Sequence, residues 1–362
     1  MRIFACTSLY VQGPGVIAQV GPLTQRIGCS PVIVIDATVQ SQFQAALAEG
    51  FDEIPTFIPF SGEVTDATVA AITASAEGCG VVVAVGGGKA LDAGKAVALR
   101  LGVPIISVPT IASNDGPASR GIAIYDEAHR LVRVDQMPTN PAAIIVDSLI
   151  IANAPLRFLR AGIGDAIAKT FEAEACWSSG GLTKHGTRPT HSGRAIARAA
   201  YQLLRDHAQA ALADAQRHEV TEALEATIEA CVLLSAMGFE NGGLSIAHSV
   251  TRGLMTLRGA KDRLHGEHVA FGTLVQLAAE ARSDVEILEL GKFFISLGLP
   301  DSLAALGVDQ ANENEMAGIA NVTMSSPHMQ ALSERITAQD LLDAIRRVEI
   351  LAERNAALGI HI

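Results

Sequence analysis

An aspartate and two histidines carry the clearest chemistry in this sequence. Asp165 closes the segment Gly162–Asp165 (GIGD), ahead of an apolar-faced stretch, AIAKTFEAEA, which places it near a helix start. His248 lies in the small-residue segment GGLSIAHSVTRGL, and His265 in LHGEHVAFGTL, just before another apolar helix. One carboxylate and two imidazoles supply three ligands and leave a position open, the donor count of a catalytic Zn²⁺ site. The same 2-His-1-carboxylate set suits Fe²⁺. His268 is a rival ligand; the glycine after His265 favours His265 by allowing close approach, but spacing alone leaves the pair open. LHGEHV is neither HExxH nor HxxEH, so a zinc-peptidase motif is absent. His129, His185, His191, His207, His218 and His361 are expected on solvated surface, in polar loops, charged segments or the terminus.

Two further motifs suit a nucleotide and a hydroxylated ligand. In Val81–Lys95 (VVVAVGGGKALDAGK) an apolar strand runs into Gly86, Gly87 and Gly88 and then a helix beginning near Ala90. Glycines let a phosphate approach the backbone, and a helix N-terminus offers it unpaired N–H groups. A turn built for packing alone is the competing reading. Asp36, at the end of the strand PVIVID, could accept a ribose hydroxyl, favouring NAD over NADP, or could simply cap a loop. After Pro109, the polar loop of Thr110, Ser113, Asn114, Asp115 and Ser119 suits a sugar-like or polyol substrate at a sheet edge.

These residues need a scaffold of two kinds. The runs at 31–35, 81–85, 104–108 and 143–146 are continuous and β-branched, as expected of parallel strands buried on both faces. Helical patterns at 64–77 and 91–101 alternate with them, which predicts a doubly wound α/β unit over residues 1–155. From about Pro155 onward Ala, Leu and Glu dominate, with helices expected at 196–215, 220–239 and 267–281. Residues 156–362 are therefore expected to form an all-α unit carrying the metal ligands, with 178–192 as a polar loop.

Composition excludes several alternatives. With 49% hydrophobic residues the chain can fill large cores. A net charge of −11 and no Lys/Arg run argue against nucleic acid. The five scattered cysteines form no CxxC pair and are expected to be reduced. No apolar run approaches the roughly 20 residues of a membrane span. A cytoplasmic protein without membrane contact is expected.

Taken together, GGGKALDAGK at 86–95, PTIAS at 109–113 with Asp115, GIGDAIAKTFEAEA at 162–175, GFENGGLSIAH at 238–248 and HGEHVAFGTLVQL at 265–277 resemble a known family. They are similar to the glycerol dehydrogenase branch of the iron-containing (group III) alcohol dehydrogenase and dehydroquinate synthase-like superfamily. The resemblance runs in order from about residue 10 to residue 300. It implies a Rossmann-like N-terminal domain, a helical C-terminal domain and an active-site cleft between them. It also implies NAD-linked oxidation of a polyol secondary alcohol, glycerol to dihydroxyacetone first among them, in a homo-oligomer, often an octamer. By the same resemblance Asp165, His248 and His265 map onto the ligands of a metal, usually zinc in this branch. Asp115 maps onto a substrate-hydroxyl contact and Phe239 onto an apolar substrate wall. Gly87, Gly88, Lys89, Asp92, Thr110, Ser113 and Tyr125 map onto the NAD site, to which the loop residue Ser119 and the strand-end Asp36 are added. Asn114, Gly116, Arg120 and Thr251 depart from the glycerol dehydrogenase pattern, Thr251 standing where a second histidine is usual. SNDGPAS leans toward the SHDGxAS segment of glycerol-1-phosphate dehydrogenases, and Arg120 could pair with an anion. A glycerol-1-phosphate dehydrogenase or a 2-oxo-acid reductase is accordingly the alternative function.

Overall fold

The computed structural model describes residues 1–309, 311–332 and 334–357. His361, expected on the solvated terminus, lies outside them. The first half contains β1 (Tyr10–Gly13), α1 (Val20–Ile27), β2 (Pro31–Asp36), α2 (Gln40–Glu49), β3 (Thr56–Phe60), α3 (Asp66–Ser75), β4 (Val81–Gly86) and α4 (Gly88–Leu101). β5 (Ile105–Pro109), the pair β6 (Gly121–Tyr125) and β7 (Leu131–Gln136), and β8 (Ala143–Asp147) complete the strands.

Six strands form one parallel sheet in the order β1-β8-β5-β4-β2-β3, and β6 and β7 form a separate antiparallel pair. The continuous apolar runs behave as buried parallel strands must. Alternate residues of β2 and β4 point to opposite faces: Ile33, Ile35, Val81 and Val83 pack with Phe43 and Leu47 of α2. Val32, Val34, Val82 and Ala84 pack instead with Val69 and Ile72 of α3 and with α4. Both faces are covered, so neither register nor orientation can slip without exposing apolar surface.

All further regular structure is helical: α5 (Ser148–Ala152), α6 (Leu156–Ser179), α7 (His191–Gln216), α8 (Glu222–Glu229), α9 (Ser235–Gly242), α10 (Ile246–Leu254), α11 (His265–Ala279), α12 (Asp284–Ser296), α13 (Glu313–Met324) and α14 (Ala338–Ala357). A large apolar core gathers Leu204, Val250, Phe271, Phe294 and Ile345 from five of them. Among the described residues no single helix is long and apolar enough to cross a membrane.

Two expectations need correction. Asp165 does not stand near a helix start: α6 has 24 residues and runs through Gly162 and Gly164. The stretch expected as one helix over 220–239 is interrupted by a π-helical turn at Ala230–Leu234 between α8 and α9.

Candidate active site

The glycines of α6 explain how a mid-helix aspartate reaches a site. A Cβ at Gly162 would lie 2.1 Å from the Ala112 carbonyl oxygen, and one at Gly164 would lie 2.5 Å from that of Gly266. α6 therefore packs directly on the polar loop after β5 and on the first turn of α11. A Cβ at Gly266 would lie 1.7 Å from the Ala161 carbonyl oxygen, so the same contact is closed from the other side. The close approach inferred for the glycine after His265 is an approach of backbone to backbone.

Asp165, His248 and His265 thereby converge, with one donor atom from each lying within 4.8 Å of the other two. Asp165 Oδ1 is 3.2 Å from His248 Nε2 and 3.7 Å from His265 Nε2, and the aspartate is 1% exposed. His268 turns away: it is buried, with Nε2 hydrogen-bonded to the Ala260 carbonyl at 2.7 Å. Thr251 bonds back to the His248 carbonyl and adds no ligand.

The surroundings prepare these side chains. His248 Nδ1 donates to Glu172 Oε2 at 2.6 Å, which leaves Nε2 free to face the cluster, where the Lys169 ammonium lies 3.0 Å from it. Glu172 is itself fixed by the N–H groups of Ser245 and His248 on its other oxygen. Lys169 is fully buried, with Nζ 2.5 Å from Asp165 Oδ1, 3.0 Å from His248 Nε2 and 3.1 Å from Asp115 Oδ2. Burial alone would push the Asp165 carboxyl up, but Lys169 and the two imidazoles hold it well below the usual range. Asp115 differs: burial raises it, Lys169 opposes that rise and Asp165 adds to it. His265 lies open to the cleft, with 45% of its side chain exposed. A neutral imidazole is the form that binds a metal.

Lys169 and Glu172 escaped the sequence reading, although Asp165, Lys169 and Glu172 stand at i, i+4 and i+7, one face of a helix. Ser235 was also missed. It opens α9 after the π turn and donates to Asp115 Oδ2 at 3.1 Å.

A cleft of about 220 Å³ runs from this cluster to the β6–β7 pair. Asp92, Asn114, Asp115, Ser119, Phe239, His248 and His265 line it, together with Lys184, which was not anticipated. Phe239 is 8% exposed, and its ring lies 5.7 Å from Lys169 Nζ. Asp92 accepts the Ala123 N–H at 3.0 Å and faces Lys95, tying α4 to β6.

The other nucleotide-site candidates occupy the carboxyl edge of the sheet or flank it. Gly87 precedes α4 with no side-chain cap on the helix, so the first N–H groups of α4 are available to an anion. Gly86 has φ +144°, and a Cβ there would lie 2.7 Å from Asp36 Cβ, so this glycine serves packing. Asp36 is thus beside the turn; its Oδ1 accepts the N–H and hydroxyl of Thr38, as a loop cap would. Thr110 donates its backbone N–H to Gly86, and Ser113 is half-buried in the loop beyond it. Ser119 is 5% exposed. Tyr125 is half-buried at the end of β6, and burial raises its hydroxyl pKa. Lys89 is exposed and ion-paired with Glu63. Arg120 is turned away from the cleft: its guanidinium meets His185 Nδ1 at 2.8 Å, so His185 is not a solvated surface residue.

Residues 11–155 match the model of a family described as iron-containing alcohol dehydrogenase. A glycolaldehyde reductase of Halobacterium salinarum is 38% identical over 88% of this chain and 88% of its own length. A glycerol dehydrogenase of Escherichia coli is 39% identical over 85% of this chain and 86% of its own. The chain belongs to the iron-containing alcohol dehydrogenase family. In fold, the crystal structure of glycerol dehydrogenase from Schizosaccharomyces pombe superposes with a TM-score of 0.94 at 30% identity, covering 99% of this chain and 93% of that one. As a member of this family the protein is an NAD-linked oxidoreductase with a dehydroquinate synthase-like fold, a parallel α/β half followed by a helical half.

Proposed function

We propose that the protein oxidises the secondary hydroxyl of a small polyol, glycerol to dihydroxyacetone, with NAD⁺ as oxidant and a metal ion at Asp165, His248 and His265. The convergence of those three side chains, with Glu172 already fixing the His248 tautomer, is the observation that carries this reading. Zn²⁺ is the proposed ion, with Fe²⁺ as the alternative that the same donors accept. Residues 156–362 hold the ion and residues 1–155 the dinucleotide. Gly87, Gly88 and the start of α4 receive the pyrophosphate, and Asp36 accepts a ribose hydroxyl. Lys89, Asp92, Thr110, Ser113, Ser119 and Tyr125 complete the cofactor wall.

The ion would acidify a hydroxyl bound beside it, and NAD⁺ would take the hydride. Everything else falls to this chain. Asp115, held at 3.1 Å from the Lys169 ammonium and by the Ser235 hydroxyl, accepts a hydrogen bond from the neighbouring hydroxyl of the substrate. Lys169 keeps Asp115 and Asp165 aligned from below. Phe239 closes the apolar side and excludes water. The same reading takes the enzyme as a cytoplasmic homo-oligomer.

The test is NAD⁺ reduction by the purified, metal-replete enzyme with glycerol, propane-1,2-diol and ethanol. Turnover of the two diols far above ethanol is expected. Equal use of all three would contradict a polyol site.

A further inference from the structure

Lys184 lines the cleft from the loop between α6 and α7. Among the described residues its ammonium makes no hydrogen bond and no ion pair within 4.0 Å. The acids nearby are already matched. Asp115 faces the Lys169 ammonium at 3.1 Å, and Asp92 faces that of Lys95 at 3.2 Å. Glu240 accepts the Arg120 N–H at 2.7 Å and the Asn140 amide at 2.6 Å. Glu240 and Asp115 reach Lys184 only through space, and burial draws its pKa down. A half-buried cation without a partner is under-compensated, and an incoming anion would relieve that. Asn114, Ser119 and Gln136 line the same cleft and add N–H and O–H donors. Arg120, the cation that the sequence offered for an anion, is occupied by His185.

We propose that Lys184 is a specificity-determining residue, and that the cleft accepts small hydroxy compounds with an anionic end, a carboxylate or a phosphate, alongside the neutral diol. This rests on the metal-dependent oxidation proposed above: the hydroxyl that reacts sits at the Asp165, His248 and His265 end, and the anion at the Lys184 end.

The experiment uses the metal-replete full chain as wild type, Lys184→Met and Lys184→Arg. NAD⁺ reduction is measured with glycerol, glycerate and glycerol 1-phosphate, and glycerol turnover is challenged with acetate and with inorganic phosphate. In wild type at least one anionic substrate is turned over, and the matching simple anion competes with glycerol. The ratio of kcat/KM for that substrate to kcat/KM for glycerol falls about 10-fold or more in Lys184→Met, mainly through KM, and recovers in Lys184→Arg. Glycerate leading identifies a carboxylate end, and glycerol 1-phosphate leading identifies a phosphate end. A ratio unchanged by Lys184→Met, or a wild type that neither uses nor is inhibited by any of the anions, overturns the proposal. Should Lys184→Met not fold, Lys184→Gln and the wild-type competition decide it. A wild type inactive on glycerol would sink the functional reading instead; calorimetric binding of phosphate and acetate to wild type and Lys184→Gln would still judge Lys184.

Discussion

The glycine turn at Gly86–Gly88 and the Asp165–His248–His265 cluster, the two sites proposed for this enzyme, are built in opposite ways. The turn is contiguous in sequence and works through backbone: β4 ends, Gly87 leaves α4 uncapped, and the N–H groups point outward. The cluster draws one side chain from each of α6, α10 and α11, and its geometry depends on α6 meeting the loop after β5 at Gly162 and α11 at Gly164 and Gly266 with no side chain between them. A backbone site should therefore fail gently and locally, whereas a side-chain site should fail sharply and by way of its supports.

The largest effect is expected from His248→Ala, which removes a ligand of the cluster. Turnover should fall about 1,000-fold, the scale of several kcal/mol of charge stabilisation, while NAD binding measured by fluorescence stays intact. Glu172→Gln comes next. It leaves every ligand in place but loosens the His248 ring, so metal affinity by competition with a chelator should drop about 10- to 100-fold. An unchanged affinity would mean that Glu172 does not orient the ring.

Gly87→Val probes the other region. Its Cβ would stand 3.0 Å from Ile111 Cδ1, and the branches beyond it would crowd the space above α4. KM for NAD⁺ should rise about 10-fold, as for the loss of one or two hydrogen bonds, with metal content the same as in wild type. A matching loss of metal would show that the two regions are not independent.

The smallest effect lies in the helical half, away from both. Burial lifts the Glu349 carboxyl from 4.5 to about 7, with Asp301 and Glu353 adding to the rise. A raised carboxyl binds its proton more tightly when folded. Its stabilising share is therefore complete below pH 4.5 and is lost as pH climbs toward 7. The melting temperature of wild type relative to Glu349→Gln should decline across that window.

The two regions also differed in how legible they were. The β4 run and the glycines after it announce a strand, a turn and a helix within a few residues, and the structure has all three. In the helical half the ligands are visible as residue types, yet what joins them is not. Gly162 and Gly164 look like helix breakers, but they are contact surfaces inside α6, which is why Asp165 was placed at a helix start. Lys169 and Glu172 look like solvent-facing charges in AIAKTFEAEA; only their shared helix face hinted otherwise. The π turn that aims Ser235 at Asp115 has no signature in ACVLL, because helix formers do not record which carbonyl the backbone chooses. The β6 and β7 pair passed unnoticed although GIAIY and LVRV flank a polar tip. Lys184 lies in the stretch expected only to be a polar loop, since nothing local shows that the cleft opens beneath it.

The most direct measurement is metal content and turnover on one preparation. The enzyme is stripped with EDTA, dialysed, and titrated with Zn²⁺ or Fe²⁺ while NAD⁺ reduction by glycerol is followed. Turnover is expected to be lost on stripping and to recover until it saturates at one ion per chain, with Asp165→Asn recovering neither ion nor activity. Full turnover by the metal-stripped enzyme would contradict a metal-dependent reaction.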